Sequence, residues 1–311
     1  MSMLTKMLNY NRFINKYKSR ISDIPSLDAV AKQYVVNRKD FNFYDDKVAY
    51  AFMTSLAEVP DETFEFPSAT IRKTLPKDGA IYTDYSNHSF VQFNNKHKVR
   101  TPNEEQCKLW VNTSLGHVGE VALLLAEFIN KSYEKSTTKN KNLTTFFKTT
   151  YNKQRNDTIT IYTTYKEADA IVSFLVKLKQ EHEELFDAEV LANPLVMKID
   201  EFISYADVAH CVSFPLSIAD MFVYVNEHKG FDELSTGEQI AYAKSLMIDY
   251  MLHMLKTGRC NDDLLVNIKN LGIRRINGKN ASQLTKKEIL VLSKELSEEK
   301  EKIIQQTKIN L

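Results

Sequence analysis

Glycine is scarce in this chain, 8 residues in 311, and cysteine scarcer still, with Cys107, Cys211 and Cys260 far apart in sequence. The first shortage counts against glycine-rich turns that cradle phosphates. The second argues against a disulfide framework or a cysteine-based zinc site, because no pair stands at ligand spacing, and the three read as buried spectators. Charge of one sign is also missing: 41 Lys and Arg stand against 40 Asp and Glu, a formal net charge of +1. With no global pull toward nucleic acid or membrane, any electrostatic function has to be local. No run is long and apolar enough to span a bilayer; even LGHVGEVALLLAEFI is short and carries His117, Glu120 and Glu127. The N-terminus, MSMLTKMLNYNRFINKYKSR, lacks an unbroken apolar core and a small-residue cleavage site. The expectation is a cytoplasmic protein with no membrane contact, no metal and no cofactor.

What is present is a composition of 43% hydrophobic and 26% charged residues, ample for one large or two modest cores. Leu4, Leu8, Phe13, Ile14 and Tyr17 fall near helical spacing, and the amphipathic helix they predict docks on the protein's own core. Further helices are expected over Leu27–Asn37 and Asp46–Ala57. Pro60 ends this region, and DETFEFPSATIRKTLPKDGAIY loses helical period. AIYTDY and SFVQFNNK, joined by a polar turn with His88, read as a hairpin in which Phe90, Gln92 and Asn94 face outward against Val91 and Phe93.

Strand-then-helix units follow. CKLWVNTS sets Leu109 and Val111 against Lys108, Trp110 and Asn112, and leads into a helix with an apolar face of Val118, Val121, Ala122, Leu125 and Ile129. A second strand, Thr158–Thr164, sets Ile159 and Ile161 against Thr158, Thr160 and Tyr162. Thr164-Tyr165-Lys166-Glu167 is a capping box opening a helix that buries Ala168, Ile171, Val172, Leu175 and Leu178. LVMKI and MFVYVN read as further strands or a lid. Ser235-Thr236-Gly237-Glu238 opens another helix, and Thr285-Lys286-Lys287-Glu288 a last one, whose charged end, EELSEEKEKIIQQTK, reads as solvated and frayed. The fold class expected is α+β: a mixed or antiparallel sheet with helices packed on one side and helical N- and C-terminal regions. The organisation expected is an N-terminal helical region over 1–60, an α+β core over 61–258 and a small helical unit over 259–311.

The chemistry concentrates in the basic tract FFKTTYNKQRND, from Phe146 to Asp157, which runs straight into the strand TITIYTTY. A loop carrying Lys148, Lys153 and Arg155 beside Tyr151 and Asn152 holds phosphate or carboxylate by charge-assisted hydrogen bonds; the plainer alternative is a set of solvated loop cations. Trp110 is a stacking surface or ordinary core volume. His88 and His117 are acid–base candidates because imidazole titrates near neutrality. Asp78, Asp84, Glu104 and Glu105 are possible carboxylate bases with no partner fixed for them.

The strings KLWVNTSLGHVGEVALLLAEFIN, FFKTTYNKQRNDTITIYTTYKEADAIVSFLVKL and ELSTGEQIAYAKSL together resemble, in order, the HopA-type effector family, whose relatives act as phosphate-eliminating lyases in lanthipeptide biosynthesis. The matching positions are Asn112, Phe147 and Lys148, Arg155 and Asp157, Tyr162, and Ser235 with Gly237. Thr236 stands where the family has an aromatic residue, and the acidic loop usual before that element is absent. The resemblance implies β-elimination of phosphate from a phosphorylated Ser or Thr in a peptide or protein. Lys148 is then the base or the enolate stabiliser, Arg155 the phosphate clamp and Tyr162 an orienting or proton-donating group, with His88 a further acid–base candidate. Asn112, Lys153 and Asp157 line the substrate. A lysine base needs its proton affinity lowered, which Lys153 and Arg155 supply by like-charge repulsion.

A reading from a different class rests on NIKNLGIRRINGKNASQLTKKEIL. Lys269, Arg274, Arg275, Lys279, Lys286 and Lys287 cluster around a helix-turn-helix pair within 262–290, a pattern that neutralises nucleic-acid phosphates or simply solvates a packing module. A third reading is a non-enzymatic interaction protein or virus-associated component.

Overall fold

A computed structural model describes residues 12–13, 16–17, 27–41, 43–44, 66–86, 90–96, 106–135, 145–150, 158–186, 197–207, 214–257 and 285–307. Its elements in chain order are α1 (Leu27–Phe41), α2 (Ser68–Thr74), β1 (Ile81–Asp84), β2 (Phe90–Asn95), β3 (Gln106–Val111), α3 (Val118–Lys135), β4 (Phe146–Thr150), β5 (Ile159–Thr164), α4 (Tyr165–Glu181), β6 (Met197–Asp200), β7 (Ile203–Asp207), α5 (Phe214–Asn226), α6 (Thr236–Thr257) and α7 (Lys286–Thr307), with 3₁₀ turns at Leu115–His117, Glu183–Leu185 and Phe231–Glu233. The chain forms two compact units, residues 1–22 with 55–206, and residues 23–54 with 207–311.

The first unit is built on a seven-stranded antiparallel sheet of order β1-β2-β4-β5-β3-β7-β6. Strict alternation sorts its residues by face. Val91, Phe93, Leu109, Val111, Phe147, Ile159 and Ile161 are wholly buried, and they share a face with stacked rings, Phe93 and Phe147, whose centroids are 4.3 Å apart. α3 and α4 are packed on the strands through the apolar stripes read from the sequence: Val118, Val121, Ala122, Leu125 and Ile129 on one helix, Ala168, Ile171, Val172, Leu175 and Leu178 on the other, all buried. The stacked rings of Phe128 and Phe174, 4.4 Å apart, join the two helices. The α+β class and the one-sided helical layer expected from the sequence are thus observed.

Local signals set several element ends. Thr164 caps α4 by accepting from the Glu167 amide at 3.3 Å. The Glu167 carboxylate accepts in turn from the Thr145 amide at 3.1 Å and the Thr145 hydroxyl at 2.6 Å, so the capping acid also ties down the start of β4. Arg12, Phe13, Lys16 and Tyr17 are helical. Phe13 is buried against the rings of Tyr165 and Tyr205, at 5.9 and 5.3 Å, which is the core docking expected of the N-terminal helix.

Two expectations for this unit need correction. Ser68–Thr74 is helical although the segment shows no helical period; seven residues with one buried side chain, Ile71, are too short to display one. Gly119 on α3 lets this helix approach, since a Cβ there would lie 2.4 Å from Pro67 Cγ. The first five residues of the basic tract form β4, where a loop was expected, because Phe147 and Thr149 alternate inward against Phe146 and Lys148.

The second unit is helical. Tyr34 on α1 packs its ring against Phe43, Phe222 and Phe231, at 5.7, 5.4 and 5.7 Å, and burial pushes its hydroxyl well above the ordinary tyrosine range. At the start of α6 the Ser235 amide donates to the Glu238 carboxylate at 2.9 Å and the Ser235 hydroxyl donates to the same oxygen at 2.6 Å, which is the carboxylate half of a capping box. MFVYVN belongs to α5 and is neither strand nor lid: Ile218, Ala219, Met221, Phe222 and Val225 are buried at helical spacing. α7 also departs from expectation. Leu292, Leu296 and Ile303 are buried, and Lys300 Nζ donates to both Asp249 carboxylate oxygens at 2.8 and 2.6 Å, so its charged end is docked on α6. The helix expected over 46–57 lies outside the described residues, as do residues 262–284 of the helix-turn-helix pair.

Candidate functional site

The face of the sheet opposite the buried stripe carries polar, aromatic and cationic side chains in rows set by the strand register. One row runs Asp84, Gln92, Lys148, Thr160 and Trp110 across β1, β2, β4, β5 and β3. The next includes Phe146, Tyr162 and Lys108 across β4, β5 and β3. Gln92, Phe146, Lys148, Tyr162 and Lys108 are partly exposed, whereas Thr160 and Trp110 are buried; Trp110 therefore belongs to the core side of its two readings.

Lys148 and Tyr162 share this face, one strand and two residues apart, a diagonal of about 7–8 Å in an antiparallel sheet. The Phe146 and Tyr162 rings stack with centroids 4.7 Å apart and planes 4° from parallel. Lys108 Nζ lies 5.5 Å from the Tyr162 ring centre and Lys148 Nζ 4.5 Å from that of Phe90, both within cation–π range. The result is a patch of two ammonium groups set among rings, able to meet an anion and to cover an apolar group beside it.

The remaining candidates are distributed unevenly. Residues 151–157, with Lys153, Arg155 and Asp157, lie outside the described residues, as do His88, Glu104, Glu105, Cys211 and Cys260. The two ends of that segment are described: the Thr150 amide donates to Thr158 O at 2.9 Å, closing the hairpin from β4 to β5. Asn112, next to this end, is buried, and its backbone N–H donates to Phe202 O at 2.9 Å. Beside it the Thr158 hydroxyl accepts from the Thr113 amide at 2.9 Å and donates to Val111 O at 2.8 Å. His117 is on the 3₁₀ turn before α3, its Nδ1 3.1 Å from Glu120 Oε2. The Ser86 amide, donating to Asp84 at 2.9 Å, holds that exposed carboxyl below the usual carboxylate range. Cys107 is wholly buried on the apolar face, the place expected of a spectator cysteine.

Of the basic residues read as a nucleic-acid cluster, Lys286 and Lys287 are exposed in the first turn of α7, and Lys269, Arg274, Arg275 and Lys279 lie outside the described residues. Sequence reasoning did not single out Lys108 or Phe146 as site residues. The alternation of CKLWVN already sets Lys108 with Trp110 and Asn112; that this row meets Tyr162 depends on the pairing of β3 with β5. Among the described residues no group of three or more His, Cys, Asp or Glu is placed to hold a metal ion, and no helix is long and apolar enough to cross a membrane.

No protein-family profile and no curated protein matches the sequence. The fold is similar to that of an effector protein from Pseudomonas syringae pv. syringae strain 61, with a TM-score of 0.50 and 13% identity over 70% of this chain and 92% of that one. An effector protein from Pseudomonas syringae pv. tomato strain DC3000 aligns at a TM-score of 0.33 and 12% identity, over 78% of this chain and 93% of that one. The first likeness is one of fold alone, an α+β fold shared with that protein. Neither comparison links it to lanthipeptide lyases.

Proposed function

We propose that this protein acts on peptides or proteins carrying phosphorylated Ser or Thr and removes the phosphate by β-elimination. A base takes the Cα proton, the electron pair forms the Cα=Cβ bond, and the Cβ–O bond breaks so that inorganic phosphate leaves with its oxygen. The products are a dehydroamino acid in the peptide and free phosphate; no oxidant or cofactor enters the balance. Negative charge develops on the carbonyl oxygen next to Cα and on the leaving group, so the step favours fixed cations aimed at both.

The observation that carries this reading is the common face of Lys148 and Tyr162; Lys153, Arg155 and Asp157 lie in sequence between Thr150 and Thr158, whose backbones are hydrogen-bonded at 2.9 Å. The ring of Phe90 beside Lys148 Nζ attracts the charged ammonium. Of the two roles open to Lys148, stabilising the enolate or the departing phosphate therefore fits better than accepting the proton. Tyr162 orients the substrate or supplies a proton, Arg155 clamps phosphate through its planar fork, and Lys153 and Asp157 line the bound peptide, with His88 as an acid–base partner; Asn112, buried beneath this end of the sheet, takes part only by holding the backbone there.

The test is incubation of the full chain with phosphoserine and phosphothreonine peptides, followed by mass spectrometry for loss of phosphoric acid. Lys148→Ala and Tyr162→Phe are expected to lower turnover by about 10²-fold or more, the scale of one lost charge-stabilising or proton-transfer group. Unchanged turnover in Lys148→Ala removes that residue from the site; no phosphate loss with the wild type refutes the reaction.

A further inference from the structure

Lys108 and Lys148 are both on the polar face, on strands two apart in the sheet. The row Lys148, Thr160, Trp110 gives the lateral offset, and Lys108 lies two residues along β3 from Trp110. At about 4.8 Å between strands and about 3.4 Å per residue, the two Cα atoms are roughly 12 Å apart. An extended peptide advances about 3.3 Å per residue and covers that span in three to four residues. Beside the line from one Cα to the other stands the stacked pair of Phe146 and Tyr162, with Lys108 Nζ over the Tyr162 ring and Lys148 Nζ over the ring of Phe90.

We infer that this face reads a second anionic group: the peptide that places its phosphate at Lys148 carries an acidic residue three or four positions away, held at Lys108, with an apolar residue between them on the Phe146–Tyr162 pair. The inference rests on the proposed phosphopeptide substrate and adds its specificity. The two ammonium groups supply the charge complementarity, and their spacing sets the period of the motif. A neutral peptide meets the same rings and forfeits one charge-assisted contact. Side-chain reach of the lysines blurs the spacing by about one residue in either direction.

The experiment is fluorescence anisotropy with the full chain and labelled extended peptides bearing a phosphonate in place of the phosphate ester, so that binding is read without elimination. Asp or Ala is placed three or four residues from the phosphonate, on either side. Asp is expected to tighten Kd about fivefold over Ala, the upper range for an exposed ion pair. Lys108→Gln abolishes that preference and Lys108→Arg retains it, with Trp110 emission confirming that each variant is folded. Equal affinities for the Asp and Ala peptides overturn the inference, as does a preference that survives in Lys108→Gln. Phosphate loss from ester peptides without any acidic preference leaves β-elimination standing and removes this specificity; an acidic preference without turnover supports the specificity and removes the reaction.

Discussion

Thr158→Val tests whether the candidate site hangs on a hydroxyl as much as on strand pairing. Thr158 and Thr113 are wholly buried where β5 begins and β3 ends. The Thr158 hydroxyl uses its one proton on Val111 O, at 2.8 Å, so the 3.1 Å contact with the Thr113 hydroxyl runs from Thr113 to Thr158. A second lone pair accepts from the Thr113 amide at 2.9 Å. Valine keeps the branched shape and deletes the whole set. The Thr113 amide is left buried without this acceptor, a cost of about 1–3 kcal/mol, and the lost bond to Val111 O adds about 1 kcal/mol. A total of about 2–4 kcal/mol lowers Tm by roughly 5–15 °C for a unit of this size. The chain has 1 tryptophan, Trp110, in the same unit and nearly buried, so its emission during urea titration follows this unit without interference from the other. Thr158→Ser is the control: it retains the hydroxyl, loses a methyl group and costs about 1 kcal/mol. Should valine match the wild type within about 0.5 kcal/mol, or prove milder than serine, the hydroxyl network is not what holds the hairpin end.

Two more outcomes are expected. Burial works to raise the Asp169 carboxyl, and hydrogen bonds from Lys16 and from the Tyr17 hydroxyl at 2.6 Å outweigh it, holding the group below its ordinary value. A folded pKa below the unfolded one of about 4 contributes stability above that pH and loses it as pH falls through the folded value; Asp169→Asn therefore flattens the acid limb of the Trp110-detected stability profile, and identical limbs refute the assignment. Leu296→Ala, at a side chain 2% exposed on α7, is expected to cost about 2–5 kcal/mol in the second unit, followed by helical circular dichroism. A cost under about 0.5 kcal/mol means that α7 is a solvated helix after all.

What could be read without coordinates is the part governed by neighbours a few residues apart. The two-residue period of SFVQFNNK, CKLWVN and TITIYTT sorts their side chains by face, and all three alternations hold in the sheet. The stripes of α3 and α4 and the cap at Thr164 follow from spacings of three and four residues in the same way. Long-range pairing was not legible. β3 lies between β5 and β7, so Lys108 and Tyr162 meet only through a register that no local pattern encodes. α5 is apolar on too many sides to betray its period, and α7 hides three buried residues among charges that find partners on α6. Composition and short-range spacing therefore determine the elements and the direction each side chain takes. Which strands adjoin, which cations share a face and how far apart they stand are set by the sheet, because those distances arise only once segments remote in sequence exchange their backbone hydrogen bonds.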